Sequence, residues 1–416
     1  MKKVISMVLS VALLLVLGSC TFADTTAFSY SVGDIITFGH YPGAQLSPTC
    51  GDDIDWFVLD IVGDMALIMS RYSLVIKEFD EASSSADWEI ASIRTWLNED
   101  FFNCALTEEE KNEVSFSEVV FRDCFRTTRT TYDKVFLLSQ EEIYRYLPES
   151  YRRTNAFSNG AWQNMLSDAN FEFGWWLRDS ADTDSSEYDI TFVDDFGNVN
   201  TVGRNMRTRM GIRPAMWINI RNPYVRPVVF FGNYEQDHDH SNGAEVIEWL
   251  VLDENADGQE LLLSRNAIES KPYDEGWRGS GWEASSIRSW LNNRFLESFS
   301  DLDRIYILDS LLYQDANSMY ATPGCGSTTD KVFLLSIAEA EKYLPALNAR
   351  LCGVTQYAAD HGAKTEGGAC NWLLRTPGQD SGKISFVNNG GWVNYEGDNS
   401  YASHYGIRPA MWADIR

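Results

Sequence analysis

Arginine is the first residue type whose placing could do chemistry. Arg94, Arg178 and Arg213 recur at matching points of a second block as Arg288, Arg375 and Arg408. A guanidinium is a planar fork of donors, so Arg178, Arg213, Arg375 and Arg408 could clamp an anion or a carboxylate. They could equally bridge loop carbonyls or stack on Trp175, Trp372 or Trp217, and recurrence amid differing loops favours that structural role. Two polar stretches offer cation ligands. Asp253, Asn255 and Asp257 alternate ahead of Gly258 like the first half of a calcium loop, but Ser264 stands where the closing glutamate belongs. Asp237-His238-Asp239-His240 presents carboxylate and imidazole donors suited to a transition ion, with a solvated loop as its plainer reading. No metal is therefore expected, and calcium is the one cofactor left open. Trp392, Tyr395, Tyr401, His404 and Tyr405 crowd the segment before Gly406. Rings with polar tips suit a sugar or a peptide, and these five are the expected ligand-binding residues. Hydrolytic chemistry lacks a visible nucleophile, since neither G-x-S-x-G nor H-E-x-x-H occurs. The acidic pair Asp194-Asp195 could serve a glycosidase, but Asn388-Asn389 stands in its place in the second block.

These residues lie on one domain written twice. WEIASIRTWLN at 88–98 returns as WEASSIRSWLN at 282–292, DKVFLLS at 133–139 returns unchanged at 330–336, and GIRPAMW at 211–217 returns at 406–412. Three long matches in one order establish an internal duplication. Copy one spans 30–221 and copy two 222–416, and the short junction at 222–227 predicts copies that touch or stay closely tethered. Within copy one, 34–38, 56–61 and 65–70 read as strands, being β-branched and aromatic between Gly and Asp breaks. Ile93, Trp96 and Leu97 give a helical stripe with Ser92 placed to cap it, matched by Ile287, Trp290, Leu291 and Ser286. Thr107 with Glu110, Ser139 with Glu142 and Ser336 with Glu339 have capping-box spacing, and Ser300 with Asp303 sits near the equivalent place. DKVFLLS reads as a strand leading into the helix capped at Ser139, and short strands close the copy at 175–178, 190–193 and 210–220.

The front of the chain points to export. Lys2 and Lys3 precede an apolar run from Val4 to Leu17, too short and too early for a membrane span and suited to a secretory signal over 1–19. Leu17-Gly18-Ser19-Cys20 resembles a bacterial lipobox, which implies a diacylglyceryl anchor on Cys20 and a tether over 20–29. A formal net charge of −26 repels phosphate backbones, so nucleic acid is excluded as a partner. Of the cysteines after Cys20, the expected pairings are Cys104 with Cys124 and Cys352 with Cys370, each within one copy. Cys50 and Cys325 are left open, and no CxxC supports a zinc ribbon.

The order S-I-R-x-W-L-N, D-K-V-F-L-L-S, W-L-R and G-I-R-P-A-M-W resembles an uncharacterised domain family common in secreted and lipid-anchored proteins of gut and oral bacteria. More remotely, a W-L-R strand, a hairpin and a closing G-x-R-P strand are similar to the C-type-lectin-like fold, which includes the formylglycine-generating enzymes. The sugar-binding Glu-Pro-Asn, Gln-Pro-Asp and Trp-Asn-Asp tripeptides are missing, and copy one has no cysteine after Cys124 for a copper pair. The resemblance thus implies a fold rather than an activity. The expected fold class is α+β: two tandem homologous domains, each C-type-lectin-like with short twisted strands and about three short helices. The expected function is an exported protein held to the membrane by its lipid, outside the cytoplasm on the bacterial cell envelope. There it would bind or display itself to an extracellular glycan or protein, without catalysis. The rivals are a hydrolase-like envelope enzyme with its site in one copy, and a structural envelope protein.

Overall fold

The β-branched and aromatic runs of both copies become strands, because such side chains fit a pleated, half-buried surface. In the computed structural model the described residues are 28–45, 52–81, 86–148, 153, 156–166, 171–182, 188–222, 225–276, 279, 281–324 and 326–415. The expected signal, Cys20, most of the tether, Cys50 and Cys325 lie outside them. Copy one supplies β1 (Ile35–His40), β2 (Asp53–Val62), β3 (Met65–Ser70), β4 (Val75–Lys77), β5 (Val114–Ser115), β6 (Ser117–Arg122), β7 (Thr128–Asp133), β8 (Phe171–Ser180), β9 (Asp189–Val193), β10 (Val199–Asn205), β11 (Arg209–Ile212) and β12 (Ala215–Asn219). Copy two supplies β13 (Arg226–Tyr234), β14 (Glu245–Glu254), β15 (Glu260–Ser264), β16 (Glu269–Ser270), β17 (Ser310–Tyr313), β18 (Ser327–Asp330), β19 (Thr365–Glu366), β20 (Ala369–Cys370), β21 (Trp372–Pro377), β22 (Lys383–Val387), β23 (Val393–Asn399), β24 (Gly406–Ile407) and β25 (Ala410–Ala413).

Each copy builds a matching five-stranded sheet, β10-β9-β8-β11-β4 in copy one and β16-β24-β21-β22-β23 in copy two. A two-stranded hairpin, β6–β7 or β17–β18, packs beside it. Apart from the small β19–β20 hairpin, the remaining strands merge into a single nine-stranded sheet, β25-β15-β14-β13-β1-β2-β3-β12-β5. Its two halves meet where β1 pairs antiparallel with β13, its own counterpart, through Ile35↔Val228, Ile36↔Pro227 and Thr37↔Arg226. The fully buried cores are separate and divide between Val225 and Val228, while Phe28 and Ile35 pack against the copy-two core. The chain is therefore two tandem domains, mainly strand with a few short helices. Among the described residues no helix is long and apolar enough to cross a membrane.

The duplicated motifs are clamps. Arg94 Nε donates to Asp133 at 2.7 Å, and Trp88 Nε1 to the other oxygen at 3.1 Å. Arg288 and Trp282 hold Asp330 at 2.7 and 2.9 Å. Asn98 Oδ1 accepts the amides of Lys134 and Val135 while its Nδ2 donates to the Val135 carbonyl, and Asn292 repeats this on Lys331 and Val332. These bonds correct the reading of DKVFLLS as a strand. Beyond Asp133 and Asp330, which end β7 and β18, the segment is extended and only single bridges, Phe136↔Ala215 and Phe333↔Ala410, join it to a sheet. Asn98, Asn292 and the buried arginines meet backbone needs that a ladder would otherwise meet.

Two further expectations are revised. The run 210–220 is two strands, not one. At Arg213-Pro214 the chain leaves the five-stranded sheet as β11 and enters the nine-stranded sheet as β12, a switch helped by a proline that cannot donate to a ladder. Ser92 and Ser286 do not cap their helices, because each helix has already begun at that residue. Their hydroxyls accept the amides of Glu81 and Glu275 instead. In copy two the cap is Ser285, whose side chain accepts from the Arg288 amide; in copy one that position is Ala91, which offers no cap. The capping boxes at Thr107, Ser139 and Ser336 form as read.

Candidate functional site

The Arg94–Asp133 clamp is the floor of an open groove of about 510 Å³ on copy one. Asn98, Glu99, Phe102 and Asn103 line one side, on a helix that widens to π-type bonding over Leu97–Phe101. Such widened turns occur often at functional sites. The β6–β7 hairpin supplies the other side. Alternation turns Ser117, Val119 and Phe121 inward and Glu118, Val120 and Arg122 outward, so Phe116 and Tyr132 project 71% and 66% exposed. Lys134 Nζ stands 4.5 Å from the Phe102 ring and 5.3 Å from that of Phe116. The Asp133 carboxylate is committed to Trp88, Thr131 and Arg94. The lining includes no serine, cysteine or histidine. Chemically the groove offers flat apolar faces beside an ammonium, a carboxylate and an amide.

Copy two has a depression of about 450 Å³ over Arg288, Asn292 and Asn293, but it extends toward Glu283, Ala284 and Ser285 and takes no wall from the β17–β18 hairpin. Asp309 and Thr329 occupy the places of Phe116 and Tyr132, as the paired registers of the two hairpins show. Lys331 turns away to the Ile307 carbonyl. One frame therefore carries an aromatic groove once and a polar groove once. Sequence reasoning passed over Phe116, Tyr132 and Lys134. The available signal was an apolar residue at an outward position of an alternating strand.

The expected aromatic group does not form one surface. Trp392 is 62% exposed at the turn before β23. Tyr401 lies past the other end of that strand, roughly 20 Å away at strand rise. Tyr395 donates to Glu341. Tyr405 belongs to the core: only 3% exposed, it packs 4.8 Å from Phe386 and donates to Asp398 at 2.9 Å, with the tilted His404 ring 4.4 Å away. A long strand separates these side chains, and burial removes Tyr405 from any ligand.

The paired arginines are held within the fold, although Nη1 of Arg213, Nη1 of Arg408 and Nε of Arg375 are buried without a hydrogen-bond partner among the described residues. Arg178 donates to the Val120 and Leu137 carbonyls at 2.8 and 2.6 Å and grips both oxygens of Glu142. Arg375 grips Glu339 and the Leu334 carbonyl in the same way. Arg213 donates to the Ser70 and Arg71 carbonyls with Trp175 at 4.9 Å, and burial lowers its pKa to about 9. Arg408 donates to Ser264 and lies 5.1 Å from Trp372.

The Asp253–Gly258 stretch is the β14–β15 turn. Asn255 Oδ1 accepts the Asp257 and Gln259 amides, and Asp253 accepts from Tyr343, so the oxygens do not converge on one point. His238 and His240 stand on the β13–β14 loop beside His361. Among the described residues no disulfide forms: Cys104 and Cys124 lie on separate elements, and Cys352 and Cys370 are buried thiols joined through a 2.8 Å backbone bond. Where the copies meet, His40 and Asp53 line a crevice of only about 40 Å³, with Nε2 and Oδ1 2.7 Å apart.

The model of a domain of unknown function, DUF6273, matches residues 63–220 and again residues 257–415. No curated protein and no solved structure matches the chain.

Proposed function

Taking as premise that the chain belongs to the DUF6273 family through both of its copies, we propose that it is a recognition protein of the bacterial cell envelope. It is exported, tethered through a lipid on Cys20, and takes an extracellular glycan in the copy-one groove without covalent chemistry. The observation that carries this reading is the pair of exposed rings, Phe116 and Tyr132, flanking a groove whose floor is already saturated by scaffold bonds. Exposed rings beside amide, ammonium and carboxylate groups match the alternating apolar faces and hydroxyls of a sugar. The C-type-lectin-like fold remains part of the proposal, supported by the parallel β8/β11 pairing next to the hairpin β9–β10 and by its recurrence as β21/β24 beside β22–β23.

The test is glycan-array binding followed by calorimetry on the chain from residue 21. Phe116→Ala with Tyr132→Ala should weaken binding at least about tenfold, the effect of losing roughly 1.4 kcal/mol of contact. Trp392→Ala should leave it unchanged. Binding that survives the double change, or that fails only with Trp392→Ala, moves the site off this groove.

A further inference from the structure

The β13–β14 loop of copy two gathers imidazoles. The sequence has five histidines. His238 and His240 lie on this loop, and His361 follows the helix Gln356–Asp360. The helix docks at the loop's base, where the Tyr357 amide donates to the Gln236 carbonyl at 2.9 Å. The His238 ring centre is consequently 5.8 Å from that of His240 and 5.8 Å from that of His361. Two imidazoles on one tetrahedral ion, with metal–nitrogen bonds of about 2.0–2.1 Å, have centres about 5 Å apart, so His238 stands between two rings that side-chain rotation must bring onto a common ion; their ring nitrogens do not yet converge.

The second ring nitrogens are already placed. Nδ1 of His238 faces Asp360 at 2.6 Å, Nδ1 of His240 faces Glu235 at 3.1 Å, and Nδ1 of His361 faces the Tyr357 carbonyl at 2.8 Å. Donation from Nδ1 selects the tautomer whose Nε2 keeps its lone pair, as in metal-bound histidines. Among the described residues no hydrogen bond engages Nε2 of any of the three. At the loop's foot Glu235, Asp237 and Glu245 bring carboxylate oxygens within 4.8 Å of one another, and Glu235 Oε1 is buried without a hydrogen-bond partner. Like charges so close favour a neighbouring cation. His238 itself has φ +65°, a left-handed backbone that a non-glycine side chain adopts at a cost. Copy one has no counterpart, since its matching strand runs into Tyr41-Pro42-Gly43.

We propose that this loop and helix end bind a divalent transition ion of the zinc class through Nε2 of His238, His240 and His361, with Asp360 and Glu235 orienting the rings. The side chains are 40%, 70% and 40% exposed, so they can swing onto the ion without disturbing the core. The site stands on copy two and is independent of the copy-one groove.

The untagged chain from residue 21, stripped with a chelator, is titrated with zinc and with cobalt. One ion should bind per chain, and cobalt should show the visible absorption of a four-coordinate site. His238→Ala with His361→Ala should weaken binding at least about 100-fold, and Asp360→Asn about 10–100-fold, with the far-ultraviolet dichroism unchanged. Zinc binding that persists in the double variant overturns the proposal. So does absence of binding at tens of micromolar, or a preference for calcium over zinc.

Discussion

His40 sits where copy two carries Asn233, a correspondence set by the matching bonds Trp56 to Phe38 and Trp249 to Phe231. Burial opposes the imidazolium, but the Asp53 carboxylate 2.7 Å away outweighs it and raises the pKa from 6.5 to about 8. A group whose pKa is raised on folding stabilises fully below its unfolded value and stops doing so as pH rises through its folded value. The His40 contribution is therefore complete below about pH 6.5 and lost through about pH 8; the shift corresponds to about 2 kcal/mol. Urea unfolding should show that fall between pH 6 and 9 in the native chain, and His40→Asn should remove it. An identical pH slope in both proteins would show that the pair does not form. Asp53, whose pKa is lowered, contributes in the opposite direction, losing its share only in acid.

At the scale of elements, the two copies act as controls on each other. Ser285 caps the helix Ser286–Trp290 through the Arg288 amide, whereas in copy one the matching Arg94 amide has only the Ala91 carbonyl at 3.1 Å, Asp80 taking the Ser92 amide. The flanking backbones match, with φ −66° and ψ 145° at Ser285 and φ −61° and ψ 137° at Ala91. Ala91→Ser should therefore stabilise copy one by about 1 kcal/mol, and Ser285→Ala should cost about as much, both read from denaturation midpoints. Equal midpoints in all three proteins would mean that a backbone carbonyl serves this amide as well as a hydroxyl does. The same pair marks how far the sequence was legible. Capping boxes and alternation are local signals, so the helices at Thr107, Ser139 and Ser336 and most strands could be read directly. The Ser92 assignment missed by one residue because the competing partner, the Glu81 amide, is remote in sequence. DKVFLLS looked like a strand for a related reason, since its backbone is met by Asn98 and Arg178 from elsewhere. The groove was hidden likewise: Arg94 and Asn98 were visible as repeated letters, but the hairpin that carries Phe116 and Tyr132 to them could only be seen folded.

For the whole molecule, the join between copies is a charge cluster about a local dyad. Asp55 and Glu248 are counterparts, as are Arg71 and Arg265, each arginine amide donating to its own copy's acidic residue carbonyl at 2.8 and 2.9 Å. Across the join Arg265 lies 2.6 Å from Asp55 and Arg71 3.3 Å from Glu248, while the contacts within each copy are 3.3 and 3.2 Å. Symmetry of position does not bring symmetry of burial. The Arg265 and Asp55 side chains are 2% and 0% exposed, against 21% and 28% for Arg71 and Glu248. Removing one partner of a buried pair strands the other charge at a cost of about 3–5 kcal/mol, whereas a solvent-reached pair is worth about 1 kcal/mol or less. Arg265→Met should consequently destabilise the chain several times more than Arg71→Met, although the two residues are equivalent in the duplicated sequence. Because the buried carboxylate left with only the more distant Arg71 is Asp55, on a strand of copy one, hydrogen exchange in β2 should quicken even though the substitution is made in copy two. If the quickening stopped at β14 and β15, the shared sheet would be a contact between independent bodies. If it crosses to β2, duplication has produced one cooperative unit in which each copy completes the other's edge.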